Sequence, residues 1–198
     1  MQTRDRRQPP INQRRKVIAR NTFCIYAIML GNKRRRKPLQ DAEHHMTCEM
    51  DKPGLQERFI STYKGRGVFT TEAFFRGDFV LEYRGELLSS EESLDRTQHY
   101  TEAENIFLFD FQWHGKNWCM DASKEDGSLG RLVNDEHRNP TCKMRTVEVS
   151  RKPHLCLFAV RDILPGEEIT YNYGDSDWPW RVKLSFVGLK HKGELWTK

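Results

Sequence analysis

Glu168-Ile-Thr-Tyr-Asn-Tyr-Gly-Asp175 is the stretch on which the fold of this chain turns. A Pro165-Gly166 turn leads into it, so Glu168 to Tyr171 reads as a short strand. Tyr171 and Tyr173 lie two residues apart and leave the backbone on the same side. A glycine at 174 ends the strand and can leave both phenols at a pocket. Taken alone, the ordinary reading of such a pair is two structural tyrosines in a core.

Working outward, strands are expected at Cys142–Val149 and His154–Asp162, and a hairpin joins Ile106–Trp113 to Asn117–Asp121 around His114-Gly115. Ser89, with Glu92 three residues later, is a capping-box pattern, and we expect a helix from there to about Glu104. Gly67–Thr71 and Phe79–Tyr83 read as two further strands joined by a turn at Arg76-Gly77-Asp78. Many short strands with one helix imply a mainly β domain built of small sheets, without internal repeats.

Composition frames this domain. The 198 residues carry 37% hydrophobic and 31% charged side chains, which suits a compact domain with polar flanks. The net charge of +5 is uneven: residues 1–50 hold 12 Lys/Arg against 4 Asp/Glu, and residues 51–198 hold 21 against 24. The basic character belongs to the leader. Residues 1–22 are Arg/Gln/Pro-rich and are expected to be disordered. The cluster Lys33-Arg-Arg-Arg-Lys37 suits nuclear import or a nucleic-acid contact, with a solvated charge run as the plain alternative. The apolar run Phe23–Leu30 is too short to cross a bilayer, which needs about 20 residues. Cys24, Cys48, Cys119, Cys142 and Cys156 form no C-x-x-C pair, which argues against a zinc module or a disulfide framework and for small buried thiols in a reduced chain.

Two more motifs attract chemistry. Lys64-Gly-Arg-Gly67 is read as a flexible loop whose exposed amides and cations suit a carboxylate, though a bland turn is the simpler account. Its spacing is not that of a phosphate loop or a dinucleotide fingerprint. Gly130-Arg-Leu-Val-Asn134 puts an asparagine after an apolar strand, followed by Asp135, Glu136 and His137.

The order of these motifs resembles the SET-domain lysine methyltransferases. Lys64-Gly-Arg-Gly67, Glu82-Tyr83-Arg-Gly85, Arg131-Leu-Val-Asn134 and Pro165-Gly-Glu-Glu168 leading to Tyr171-Asn-Tyr-Gly-Asp175 follow one another as they do in that family. Phe75-Arg-Gly-Asp-Phe-Val80, Cys119-Met-Asp-Ala122 and Pro153-His-Leu155 bring the resemblance nearest to the Pr-Set enzymes, which monomethylate lysine 20 of histone H4. The resemblance implies a mainly β fold of several small sheets with a knot-like C-terminal crossing and few short helices. It divides the chain into a basic, largely disordered extension at 1–50, a SET domain at 55–180 and a tail at 181–198.

The resemblance further implies a protein-lysine N-methyltransferase that uses S-adenosylmethionine and no metal. Tyr173 would stand nearest the transferred methyl, Tyr171 would limit how many methyls fit, and Tyr83 would form a third channel wall. Lys64, Gly65 and Arg66 would cradle the methionine end of the cofactor. Asn134, Asp135 and Phe107 would meet its adenosine side, and Trp180 in Asp177-Trp-Pro-Trp180 would stack near the adenine or simply anchor the tail. The expected partner is a histone tail or nucleosome in nuclear chromatin, with DNA contact through the basic leader, no membrane, and a monomeric chain. The second reading is a catalytically weak, SET-like module that docks on chromatin; a pure nucleic-acid-binding protein comes third, since residues 51–198 are net acidic. The chain departs from the family pattern at Asp135, where the family has histidine, and at Phe107, where the Pr-Set relatives have tyrosine. No helix ahead of the domain is evident in the first 50 residues.

Overall fold

The computed structural model describes residues 36–174. The apolar run at 23–30 and Trp180 lie outside them. In chain order the elements are α1 (Pro38–Cys48), β1 (Leu55–Ser61), β2 (Gly65–Thr70), β3 (Phe79–Tyr83), β4 (Glu86–Ser89), α2 (Ser90–His99), α3 (Glu102–Asn105), β5 (Leu108–Trp113), β6 (Lys116–Asp121), a 3-10 turn at Gly130–Leu132, β7 (Asn134–Asp135), β8 (Cys142–Val149), β9 (Lys152–Ala159) and β10 (Glu168–Tyr171).

Seven strands form one sheet, in the order β1-β2-β10-β8-β9-β3 with β7 also paired to β10; β4-β6-β5 form a second, antiparallel sheet. All five residues of β3 are buried, as are Leu155 to Ala159 of β9. These strands are covered on both faces, which explains why their sequences run apolar rather than alternating. One face packs Val80, Leu81 and Leu157 against Val68, Leu132, Val133, Ile163, Ile169 and Tyr171. The other packs Phe79, Cys156 and Phe158 against Ala42 and Met46 of α1.

Helix α1 corrects the sequence analysis, which assigned residues 38–48 to the basic extension. Pro38 opens it where a missing N–H costs nothing, and Glu49 closes it in a left-handed conformation, its N–H returning to His45 and Met46 carbonyls. Ala42, His45 and Met46 form its buried face. The Met46 sulfur lies 3.4 Å from the Cys156 thiol, and the His45 ring stacks on Phe79 at 5.9 Å. Lys52 fastens the following segment by pairing with Asp41 and donating to the Phe79 carbonyl at 3.1 Å. Only three of eleven residues turn inward, so the apolar signal is thin.

Two other expectations shift. The helix from Ser89 ends at His99, because Tyr100 is extended and its hydroxyl donates to Asp121 at 2.8 Å. Thr101 then starts α3, and the Glu104 carboxylate accepts the Thr101 N–H at 2.8 Å just as Glu92 accepts that of Ser89. The predicted strand before Asn134 is instead the 3-10 turn. Gly130 lies so close to β3 that an added Cβ would stand 2.1 Å from the Glu82 carbonyl oxygen.

Strand β10 positions the site. It runs antiparallel to β2 on one side, and on the other pairs in parallel with β7 and with Cys142 of β8. Thr141 and Thr170 lock this crossing: the Thr141 hydroxyl accepts the Thr170 N–H at 2.7 Å and donates to the Thr170 carbonyl at 3.1 Å. The Glu136 N–H returns to the Tyr171 carbonyl at 3.0 Å. Among the described residues no helix is long and apolar enough to cross a membrane.

Candidate active site

A cavity of about 900 Å³ opens where the turn before β2, the end of β3, the start of β5, β7 and the end of β10 meet. Among its lining residues are Tyr83, Tyr171 and Tyr173. The Tyr171 and Tyr173 ring centroids are 4.7 Å apart, and Phe109 bridges the third ring, 6.0 Å from Tyr83 and 6.3 Å from Tyr171.

The three hydroxyls are not equivalent. Tyr83 donates to the Phe107 carbonyl at 2.8 Å, and Tyr173 donates to the Val133 carbonyl at 2.6 Å. The Tyr171 hydroxyl has no hydrogen-bond partner among the described residues, although its side chain is 2% exposed. Burial pushes all three phenols above their ordinary pKa, so they stay neutral well past physiological pH. With their protons committed to backbone carbonyls, Tyr83 and Tyr173 offer lone pairs to the cavity, whereas Tyr171 has a hydroxyl to spare.

The opposite wall is polar. Turn residues Thr62 to Lys64 join β1 to β2, and Gly65, Arg66 and Gly67 lie in the strand itself, so the expected four-residue loop is shorter than the sequence suggested. Lys64 Nζ is 3.0 and 3.2 Å from the two oxygens of Glu168. The Arg66 guanidinium reaches Glu125 at 2.6 Å and Glu57 at 3.3 Å. Asn134 ties this wall to β10, its amide donating to the Arg66 carbonyl at 3.1 Å and to Glu168 at 2.9 Å. Gly67 is needed for that approach, since a Cβ there would meet Asn134 Nδ2 at 2.8 Å and Ile60 at 2.6 Å. The Asp135 carboxylate accepts the Tyr173 N–H at 3.0 Å. Phe107 lines the cavity with the Arg131 guanidinium 4.0 Å from its ring centre.

All nine predicted site residues within the described range thus line one cavity; Trp180 lies outside the described residues. Three residues escaped the sequence analysis as contributors. Glu168 joins Lys64 to Asn134. Arg131 is buried beneath Phe107, donating to the Ala122 and Ser123 carbonyls at 2.8 and 3.1 Å. Phe109 spaces the tyrosines. Glu168 and Arg131 stood inside quoted motifs, but only as letters of a pattern. His137 also lines the cavity, at an exposed position. Among the described residues no cluster of three or more His, Cys, Asp or Glu is arranged to hold a metal ion.

Comparison with known proteins agrees with this geometry. A SET domain profile matches residues 65–174. The chain is 35% identical to the histone-lysine N-methyltransferase set-1 of Caenorhabditis elegans over 157 residues, covering 76% of this chain and 65% of that protein. It is 34% identical to the N-lysine methyltransferase KMT5A of Xenopus tropicalis over 168 residues, 82% of this chain and 50% of that protein. Against KMT5A-A of Danio rerio it is 42% identical over 124 residues, 62% of this chain and 36% of that protein. The chain therefore spans from about a third to two thirds of the length of these curated relatives. Among solved structures, the methyltransferase domain of human histone-lysine N-methyltransferase SETMAR superposes with a TM-score of 0.54 at 32% identity, over 60% of this chain and 44% of that one. CpSET8 from Cryptosporidium superposes with a TM-score of 0.58 over 74% of this chain and 69% of that one, and at 23% identity it speaks for the fold alone. A profile that covers more than half of the sequence, on this fold and around this cavity, makes the chain a member of the SET domain family.

Proposed function

We propose that this protein methylates a histone lysine with S-adenosylmethionine as donor, and that it stops at the monomethyl stage on lysine 20 of histone H4. The observation that carries this reading is the convergence of Tyr83, Tyr171 and Tyr173, from β3 and the end of β10, on the cavity that Lys64–Arg66 and Asn134 close from the other side. The relatives' names, histone-lysine and N-lysine methyltransferase, support the same reaction class.

The residues fit that cofactor. The cavity is large enough for a nucleoside-sized ligand, Gly67 permits a close backbone approach, and cationic and amide groups line the wall opposite the tyrosines. Lys64, Gly65, Arg66, Asn134, Asp135 and Phe107 would hold it, with Trp180 from the tail. When bound, S-adenosylmethionine supplies a methyl group on a sulfonium that becomes a neutral thioether, so no Lewis acid is required.

The protein's own task is to present a neutral, aimed amine. A lysine of pKa about 10.4 costs about 4.6 kcal/mol to neutralise at pH 7. An aromatic slot that excludes water penalises the ammonium and lowers that cost. Tyr83 and Tyr173 can accept N–H bonds from the amine and so point its lone pair along the channel. Alignment of this kind supplies several kcal/mol of barrier lowering. The free Tyr171 hydroxyl occupies the space that a second methyl would need.

In this reading the protein acts as a monomer on nucleosomes in the nucleus, with the basic leader contacting DNA. The departures at Asp135 and Phe107 favour, as the second reading, a weakly catalytic module that docks on chromatin. Nucleosomes incubated with methyl-labelled cofactor separate the two. Label on histone H4 that disappears with Tyr173→Phe supports the enzyme; no label despite intact nucleosome binding supports the docking module.

A further inference from the structure

We infer that one face of the β8–β9 hairpin is a docking surface for the phosphate backbone of duplex DNA, so that the folded domain itself grips the nucleosome while the cavity takes a lysine. The inference rests on the reading just given for one thing, the nucleosome as the source of the duplex.

The hairpin register sets Lys143 opposite Phe158, Arg145 opposite Cys156 and Val149 opposite Lys152, and strand alternation puts all of them on one face. Lys143, Arg145, Lys152 and the turn residue Arg151 are exposed. Among the described residues none of these four is paired with a carboxylate, whereas Lys52, Lys64, Arg84 and Arg96 all are. The one carboxylate of the hairpin, Glu148, belongs to the other face and meets His114 of the β5–β6 hairpin at 2.9 Å. This concentration of cations stands within a net acidic stretch, since residues 51–198 hold 21 Lys/Arg against 24 Asp/Glu. The acids gather elsewhere, with Glu91, Glu92, Asp95, Glu102 and Glu104 on α2 and α3.

The turn carries a second sign. Ser150 and Arg151 both hold left-handed backbone, at φ of 51° and 63°. Asn-Gly is the relaxed choice for such a turn, so an arginine at its tip is kept at a local cost that no contact within the fold offsets. The cations run along about 20 Å of strand, too far apart for one small anion but well matched to a duplex, which offers one charge per about 1.7 Å of its axis. Helix α1 packs on this same face through Ala42 and Met46. The basic leader joins the domain at the first residue of that helix, so its charge adds to the hairpin's on one side.

Anisotropy of a short labelled duplex, titrated with the full chain at several salt concentrations, tests this. Arg151→Gly with Lys152→Gln should weaken binding about tenfold at moderate salt and lower the slope of log affinity against log salt by about two. Lys143→Gln with Arg145→Gln should do the same. The leader is present in every variant and cannot produce the difference. Glycine relaxes the turn, so the first variant should melt no lower than wild type, and its lost affinity is then not lost folding. Unchanged slopes overturn the inference. A loss confined to phosphatidylserine vesicles, with duplex binding intact, overturns the assignment to DNA. Methylation separates this inference from the reading above: both variants should label nucleosomes more slowly than wild type, and free histone H4 at the wild-type rate. Wild-type protein that labels neither refutes the methyltransferase reading, while the duplex titration still decides the hairpin.

Discussion

The two walls of the cavity are built on different physics. The tyrosine wall is interior structure: Tyr83 and Tyr171 are 5% and 2% exposed, the strand of Tyr171 is paired on both sides, and backbone carbonyls hold two of the three hydroxyls. The basic wall is a surface turn, where Lys64 and Arg66 are held by carboxylates that are themselves partly in water. Buried contacts of the first kind are costly to disturb and insensitive to salt, whereas exposed ion pairs are worth on the order of half a kcal/mol and are screened. The site thus joins a rigid reaction channel to a compliant binding edge.

The largest expected effect comes from the rigid side. Gly130→Ala pushes a methyl against the Glu82 carbonyl, next to Tyr83, and should destabilise the fold by about 3 kcal/mol or more in denaturant titrations. A variant of wild-type stability would mean that the tyrosine wall yields as easily as the basic one. Tyr173→Phe removes one oriented hydroxyl and its bond to the Val133 carbonyl, and should lower kcat by roughly a hundredfold while costing about 1 kcal/mol of stability. Tyr171→Phe is subtler, because its hydroxyl has no partner to lose: folding should be untouched, and mass spectrometry of a treated histone peptide should now find dimethyl-lysine. The raised phenols carry a pH prediction. Turnover should climb from pH 7 to pH 10 as substrate lysine loses its proton, without the falling limb that a phenol of ordinary pKa would impose. The smallest effect belongs to the compliant side. Glu168→Gln keeps an acceptor for Asn134 and removes the charge beside Lys64, so cofactor affinity should change only a few-fold, and less at high salt.

The same division explains what could be read in advance. Tyr171 and Tyr173 were legible as a pair because strand geometry sets their common side within three residues. The capping box at Ser89 and the hairpin around His114-Gly115 were legible for the same reason, each resting on side chains a few positions apart. Helix α1 was not, since its buried face acquires meaning only against Phe79 and Cys156. The break at Tyr100 was missed because what holds it is Asp121, 21 positions away.

By itself the sequence determined most of the strands and turns, the unequal charge of leader and domain, and the family pattern, since all of these depend on residue type and short spacing. Only the tertiary structure decided that Glu168 would hold Lys64 from 104 positions away, that Asn134 would reach back 68 positions to Arg66, and that Asp135 would fasten Tyr173. Such contacts are set by how β10 is paired between β2 and β7, and no local propensity encodes that crossing.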